Sequence, residues 1–145
     1  MKDGDVSELI GKKLDVYQIT GLLGKGGMGE VYAARHSLIG RPCAIKMLPL
    51  DEQMTAELIQ RMIREAQAAS AIGHPNIVQI YDFRQASDGR HFMVMELLSG
   101  FSLTELLEQQ GRFTEVQAAA VMLQMLSGLV AAHQKGIVHR DLKPA

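Results

Sequence analysis

Apolar and polar residues alternate loosely over residues 17–23, give way to a cluster of glycines, and alternate again through Val31-Tyr32-Ala33-Ala34. A period near two marks strands with one covered face. Gly40-Arg41-Pro42 signals a turn, and the compact apolar run of residues 43–48 after it is broken only by Lys46. The pattern predicts three antiparallel strands with a glycine-rich first turn. Over residues 55–71 the period lengthens. Leu58, Met62, Glu65, Ala66 and Ala69 recur at three- and four-residue steps, which places them on one face of a helix. Gly73-His74-Pro75-Asn76 closes it, because glycine and proline continue a helix only at a cost. Residues 77–83 and 92–97 read as two more strands around the polar loop 85–90.

Past Ser99-Gly100 the chain turns helical. A short helix over residues 103–109 stops at Gly111, and a longer one opens at Thr114 with Gln117 in the capping-box position. Val116, Ala120, Leu123, Leu126 and Val130 form its apolar face, and Gly136 stops it after about residue 134. The predicted class is α+β, a five-stranded antiparallel sheet with one helix followed by a helical segment. Residues 1–13 are a polar lead-in, 14–98 the strand-rich part and 99–145 the helical part.

At 145 residues the chain can bury one sizeable core. A net charge of −1 and a pI near 6.5 give no electrostatic case for nucleic acid or an anionic membrane. Cys43 is the only cysteine, which excludes an internal disulfide and fits a reducing cytoplasm. Five histidines show no ligand spacing. The lead-in lacks the apolar core of a signal peptide. No apolar run approaches the roughly 20 residues that span a bilayer.

Chemistry enters at the glycines. Gly24, Gly26 and Gly29 join two strands, and a lysine follows Gly29 by 17 residues. A dinucleotide-binding unit would instead join a strand to a helix, with an acid about 20 residues on. The missing side chains let backbone amides approach phosphate oxygens closely. Lys46 lies in an otherwise apolar strand, where its ammonium requires a partner. Glu65, on the apolar face of the following helix, fits that part. Glu57 is the rival, but it lies near the helix start, where the dipole alone explains an acid.

The chain closes on His139-Arg140-Asp141-Leu142-Lys143-Pro144-Ala145. With Gly24-Lys25-Gly26-Gly27-Met28-Gly29-Glu30-Val31 and Ala44-Ile45-Lys46 in matching order, this ending resembles the eukaryotic-type protein kinases, in a bacterial-looking form. Lys143, two residues after Asp141, resembles the serine/threonine branch. The family reads HRDxKxxN, so the resemblance covers about the first half of a kinase domain and breaks off within the catalytic loop. It implies a kinase-like N-lobe, with a five-stranded antiparallel sheet and helix C, followed by the first helices of the C-lobe.

The resemblance also implies roles. The activity would be transfer of the γ-phosphoryl group of ATP, with magnesium, to Ser or Thr hydroxyls of protein substrates. Asp141 would orient the attacking hydroxyl, and Lys143 would offset charge on the phosphoryl group. Arg140 resembles the residue that meets a phosphorylated activation loop, and His139 a packing residue. Lys46 would hold the α/β-phosphates and pair with Glu65. Leu23, Val31 and Ala44 would roof the adenine, Met95 would close the back of its slot, and Glu96, Leu97 and Leu98 would form the hinge. Cys43 stands where the family usually has valine. No metal ligand is assigned within the chain, since the family's magnesium ligands follow the last motif. A membrane helix, where relatives of this type carry one, would also follow it. The alternative is a catalytically inactive fragment or pseudokinase that binds nucleotide or regulates. Asp82-Phe83-Arg84 imitates the metal-binding Asp-Phe-Gly motif but ends a strand ahead of the hinge.

Overall fold

The computed structural model describes residues 9–26, 29–49, 55–139 and 142. They fall into two compact units, Met1–Gln67 with Gln79–Leu98, and Ala68–Val78 with Ser99–Ala145. Residues 1–8 of the expected lead-in 1–13, and the catalytic-loop residues Arg140, Asp141 and Lys143, lie outside the described residues.

In the first unit, β1 (Lys13–Leu14), β2 (Tyr17–Gly26), β3 (Gly29–His36), β4 (Pro42–Met47), β5 (Ile80–Gln85) and β6 (His91–Met95) form one antiparallel sheet in the order β1-β2-β3-β4-β6-β5. Five of these strands are the expected ones. The sixth, β1, has two residues, too few for any period to announce it. Tyr17, Ile19, Tyr32, Ala34, Cys43, Ile45, Met47, Phe92 and Val94 make the core. Their spacing of two along β3, β4 and β6 is the physical basis of the alternation in the sequence. The β3–β4 turn closes as Gly40, at φ +69°, donates its N–H to the His36 carbonyl.

Helix α1 (Ala56–Ser70) starts where Thr55 Oγ1 accepts from the Leu58 N–H at 3.2 Å. Its covered side is Ile59, Met62, Ile63 and Ala66, a rotation from the expected stripe that leaves Leu58 and Glu65 exposed. Ile59 and Ile63 extend the apolar stripe on the side away from Glu65, which leaves Glu65 at its edge.

The second unit holds α2 (Leu103–Gln110) and α3 (Glu115–Gln134), each opened by a complete capping box. Ser102 pairs reciprocally with Glu105, and Thr114 with Gln117. Gly111 and Gly136, at φ +76° and +73°, end the two helices. The packed side of α3 differs from the expected one. Gly128 and Ala132 are buried, and with Ala69, Ile72, Ile77 and Leu129 they line a cavity of about 280 Å³. Val116 and Leu123 are 80% and 68% exposed. Apolar residues are spread around most of α3, so composition could not fix its rotation. By length and composition α3 could also cross a membrane. Polar bonds link it to the loop after α1 within its own unit, with His74 Nε2 3.1 Å from Ser127 Oγ and Asn76 Nδ2 3.4 Å from Gln124 Oε1.

Candidate active site

Register decides which side chains share a face of the sheet. Gly24 lies opposite Val31, Val31 opposite Lys46, and Ala44 opposite Met95. In antiparallel strands directly opposed residues point the same way, and successive residues point opposite ways. Gly24, Val31, Ala44, Lys46 and Met95 therefore occupy one face, while Tyr32, Ile45 and Val94 carry the core on the other. A register shift between Leu22 and Gly24 sets Leu23 at a bulge, with its side chain exposed. Past β6, the Glu96 N–H donates to the Gln79 carbonyl at 2.9 Å, and its Oε1 accepts from the Gln79 N–H at 3.0 Å. The segment expected as a hinge thus leaves the sheet anchored at Glu96, with Leu98 exposed.

The three loop glycines differ in their reasons. A Cβ at Gly24 or Gly26 would meet nothing within 4 Å, so packing within the chain does not account for glycine there. Close approach of a ligand to the backbone would account for it. Gly29 has φ +110°, and a Cβ on it would lie 2.0 Å from the Met47 carbonyl oxygen. That glycine is dictated by the fold.

Lys46 is partly buried and forms no ion pair among the described residues. The expected Lys46–Glu65 pair is not formed. Glu65 Oε1 instead accepts from Arg61 Nε at 2.9 Å, with the Glu65 side chain 64% exposed. Arg61 and Glu65 are one turn apart on α1, and both lie on its exposed side, where they pair. Asp82 is spent on structure, since Arg84 bridges it to Asp15. That disposes of the Asp-Phe-Arg mimic.

Sequence reasoning passed over one chain of polar groups on the opposite face of the glycine hairpin. The Tyr32 hydroxyl donates to Glu30 Oε2 at 2.7 Å, and Lys25 Nζ lies 3.1 Å from Glu30 Oε1. The Tyr32 bond, foremost, and the Lys25 bond hold the Glu30 carboxyl below its ordinary range against the opposing effect of burial. Burial first, and then Glu30, push the Tyr32 phenol up to about 12. The signal was present in the sequence as a Glu-x-Tyr step facing a lysine across a glycine tip.

The family model for the protein kinase domain matches residues 17–145. Serine/threonine-protein kinase PrkC of Bacillus subtilis is 43% identical over 137 residues, which are 94% of this chain and 21% of that protein. Serine/threonine-protein kinase pkn3 of Myxococcus xanthus is 37% identical over 145 residues, 99% of this chain and 26% of that protein. The chain thus spans about a quarter or less of these relatives. The crystal structure of the Mycobacterium tuberculosis PknI kinase domain superposes with a TM-score of 0.77 at 28% identity, over 93% of this chain and 56% of that one. With the glycine hairpin, the Lys46 strand and the one-faced register already in place, this 145-residue chain belongs to the protein kinase domain family.

Proposed function

We propose that this chain is the nucleotide-binding part of a serine/threonine protein kinase, which passes the γ-phosphoryl group of ATP to Ser and Thr hydroxyls of proteins. The carrying observation is the register that sets Gly24, Val31, Ala44, Lys46 and Met95 on one sheet face. Gly24 and Gly26 offer unobstructed backbone to phosphate oxygens, and Lys46 a cation to the α/β-phosphates. Leu23, Val31, Ala44 and Met95 supply apolar contact to the purine, with backbone groups from Glu96 to Leu98 for its edge. Lys46 recruits Glu65 once nucleotide is bound. An exposed i,i+4 pair such as Arg61–Glu65 is worth only about 0.3–0.5 kcal/mol, so little holds Glu65 back. Asp141 orients the hydroxyl, and Lys143 offsets the charge of the transferred group.

The family works with ATP and magnesium. Among the described residues no cluster of three His, Cys, Asp or Glu side chains could hold a metal. The rival reading, a regulatory module that binds nucleotide without transfer, draws support from the Glu65–Arg61 bond.

An ATP derivative acylated on its terminal phosphate tests the binding face, because a neighbouring lysine amine takes the acyl group and ATP departs. Lys46 should be labelled ahead of the other lysines, and excess ATP should suppress it. Labelling spread evenly over the lysines, and indifferent to ATP, would count against this site.

A further inference from the structure

We infer that Glu30, anchored by Tyr32, is a positioning residue that sets the pitch of the glycine-rich hairpin through Lys25. The inference rests on reading the Val31–Lys46 face as the nucleotide side. Lys25 and Glu30 are direct cross-strand partners, one step from the tip where Gly26 faces Gly29. One carboxylate oxygen of Glu30 takes Lys25, and the other takes the Tyr32 hydroxyl. Tyr32 is 1% exposed and belongs to the core cluster. A continuous polar chain therefore runs from the core of the sheet to the last side chain before the tip.

Its direction matters. Glu30 and Tyr32 alternate with Val31, so the chain lies on the face opposite Lys46. Lys25 is drawn to the back of the hairpin, away from the phosphates, and acts through loop position instead of through contact with them. Gly24 and Gly26 on either side of it have no side chains to restrain the backbone, which leaves Lys25 as the handle. An ion pair with one half-exposed partner holds little alone. Here Glu30 is already fixed by a buried phenol, so pairing with Lys25 orders only one further side chain. The same two bonds favour the ionised form of Glu30.

The test is a charge exchange in the 145-residue chain, read in two ways. One is hydrogen exchange of the amides of residues 24–31 without nucleotide, and the other is binding of a fluorescent ATP analogue. Glu30→Gln and Lys25→Met should each speed exchange at the hairpin and weaken binding about threefold to fivefold, as expected for a pair of this kind. The double variant should be no worse than either single one. Lys25→Glu should fail in both measurements, and Lys25→Glu combined with Glu30→Lys should restore both. Tyr32→Phe, which keeps the ring in the core, should produce part of the loss. A charge-exchanged variant that binds as poorly as Lys25→Glu alone would show Lys25 touching phosphate directly and overturn the inference. Unchanged hairpin exchange in Glu30→Gln would overturn it too. If the unaltered chain binds no analogue while exchange still follows the charge swap, the tether stands and the nucleotide reading falls.

Discussion

Gly29 and Met47 are in backbone contact so close that a Cβ on Gly29 would lie 2.0 Å from the Met47 carbonyl oxygen. The glycine hairpin is thereby pinned to the end of β4, one residue past Lys46. Gly29→Ala adds both this clash and a side chain at φ +110°. We expect it to destabilise the sheet by about 2–4 kcal/mol in denaturant unfolding. Gly24→Ala should stay within about 1 kcal/mol of the original, because space around it is open.

Alkaline stability should report on Tyr32. Its phenol is raised from 10.0 to about 12 in the fold, chiefly by burial. A raised value means the protonated form is favoured in the folded state. The associated stability is complete below pH 10 and drains away as pH climbs through about 12. A shift of that size corresponds to up to about 3 kcal/mol. Unfolding measured between pH 9 and 12 should lose stability steeply in the original chain and less steeply in Tyr32→Phe. Tyr17 and the Cys43 thiol, both also raised by burial first, contribute to the slope that remains.

Helix α3 meets the loop after α1 at Gly128, where a Cβ would stand 3.1 Å from the Asn76 carbonyl oxygen and 3.4 Å from its Cβ. Gly128→Val should overpack this contact and cost about 1–3 kcal/mol, despite the better helix propensity of valine. Ala120→Val, at an exposed position, is the control and should shift thermal unfolding little.

These contacts explain what the sequence could and could not disclose. Gly111, Thr114 and Gly136 were legible because a cap or a stop depends on residues three or four positions away. The set Leu23, Val31, Ala44, Lys46 and Met95 came from the family resemblance, because a period of two fixes the faces of one strand but not the register that sets Val31 opposite Lys46 and Ala44 opposite Met95. The rotation of α1 and α3 was not legible. In α3 apolar residues spread around much of the surface, and only tertiary partners choose a side, whereas α1 is one-sided and its stripe extends to Ile59 and Ile63, away from Glu65. The need for Gly29 was hidden for a similar reason, since its cause is a carbonyl 18 residues away. Glu65 matched the sequence pattern of the family and still lies with Arg61, because pattern names a residue and not its rotamer or its helix phase.

Phosphoamino-acid analysis tests the kinase reading most directly. The protein carrying this chain together with its downstream sequence would be incubated with ATP labelled on the γ-phosphate, beside its Lys46→Met variant. The expected result is phosphoserine and phosphothreonine, falling about a thousandfold in Lys46→Met as roughly 4 kcal/mol of transition-state stabilisation is lost. Phosphotransfer near the original rate in Lys46→Met, or label found mainly on tyrosine, would contradict it.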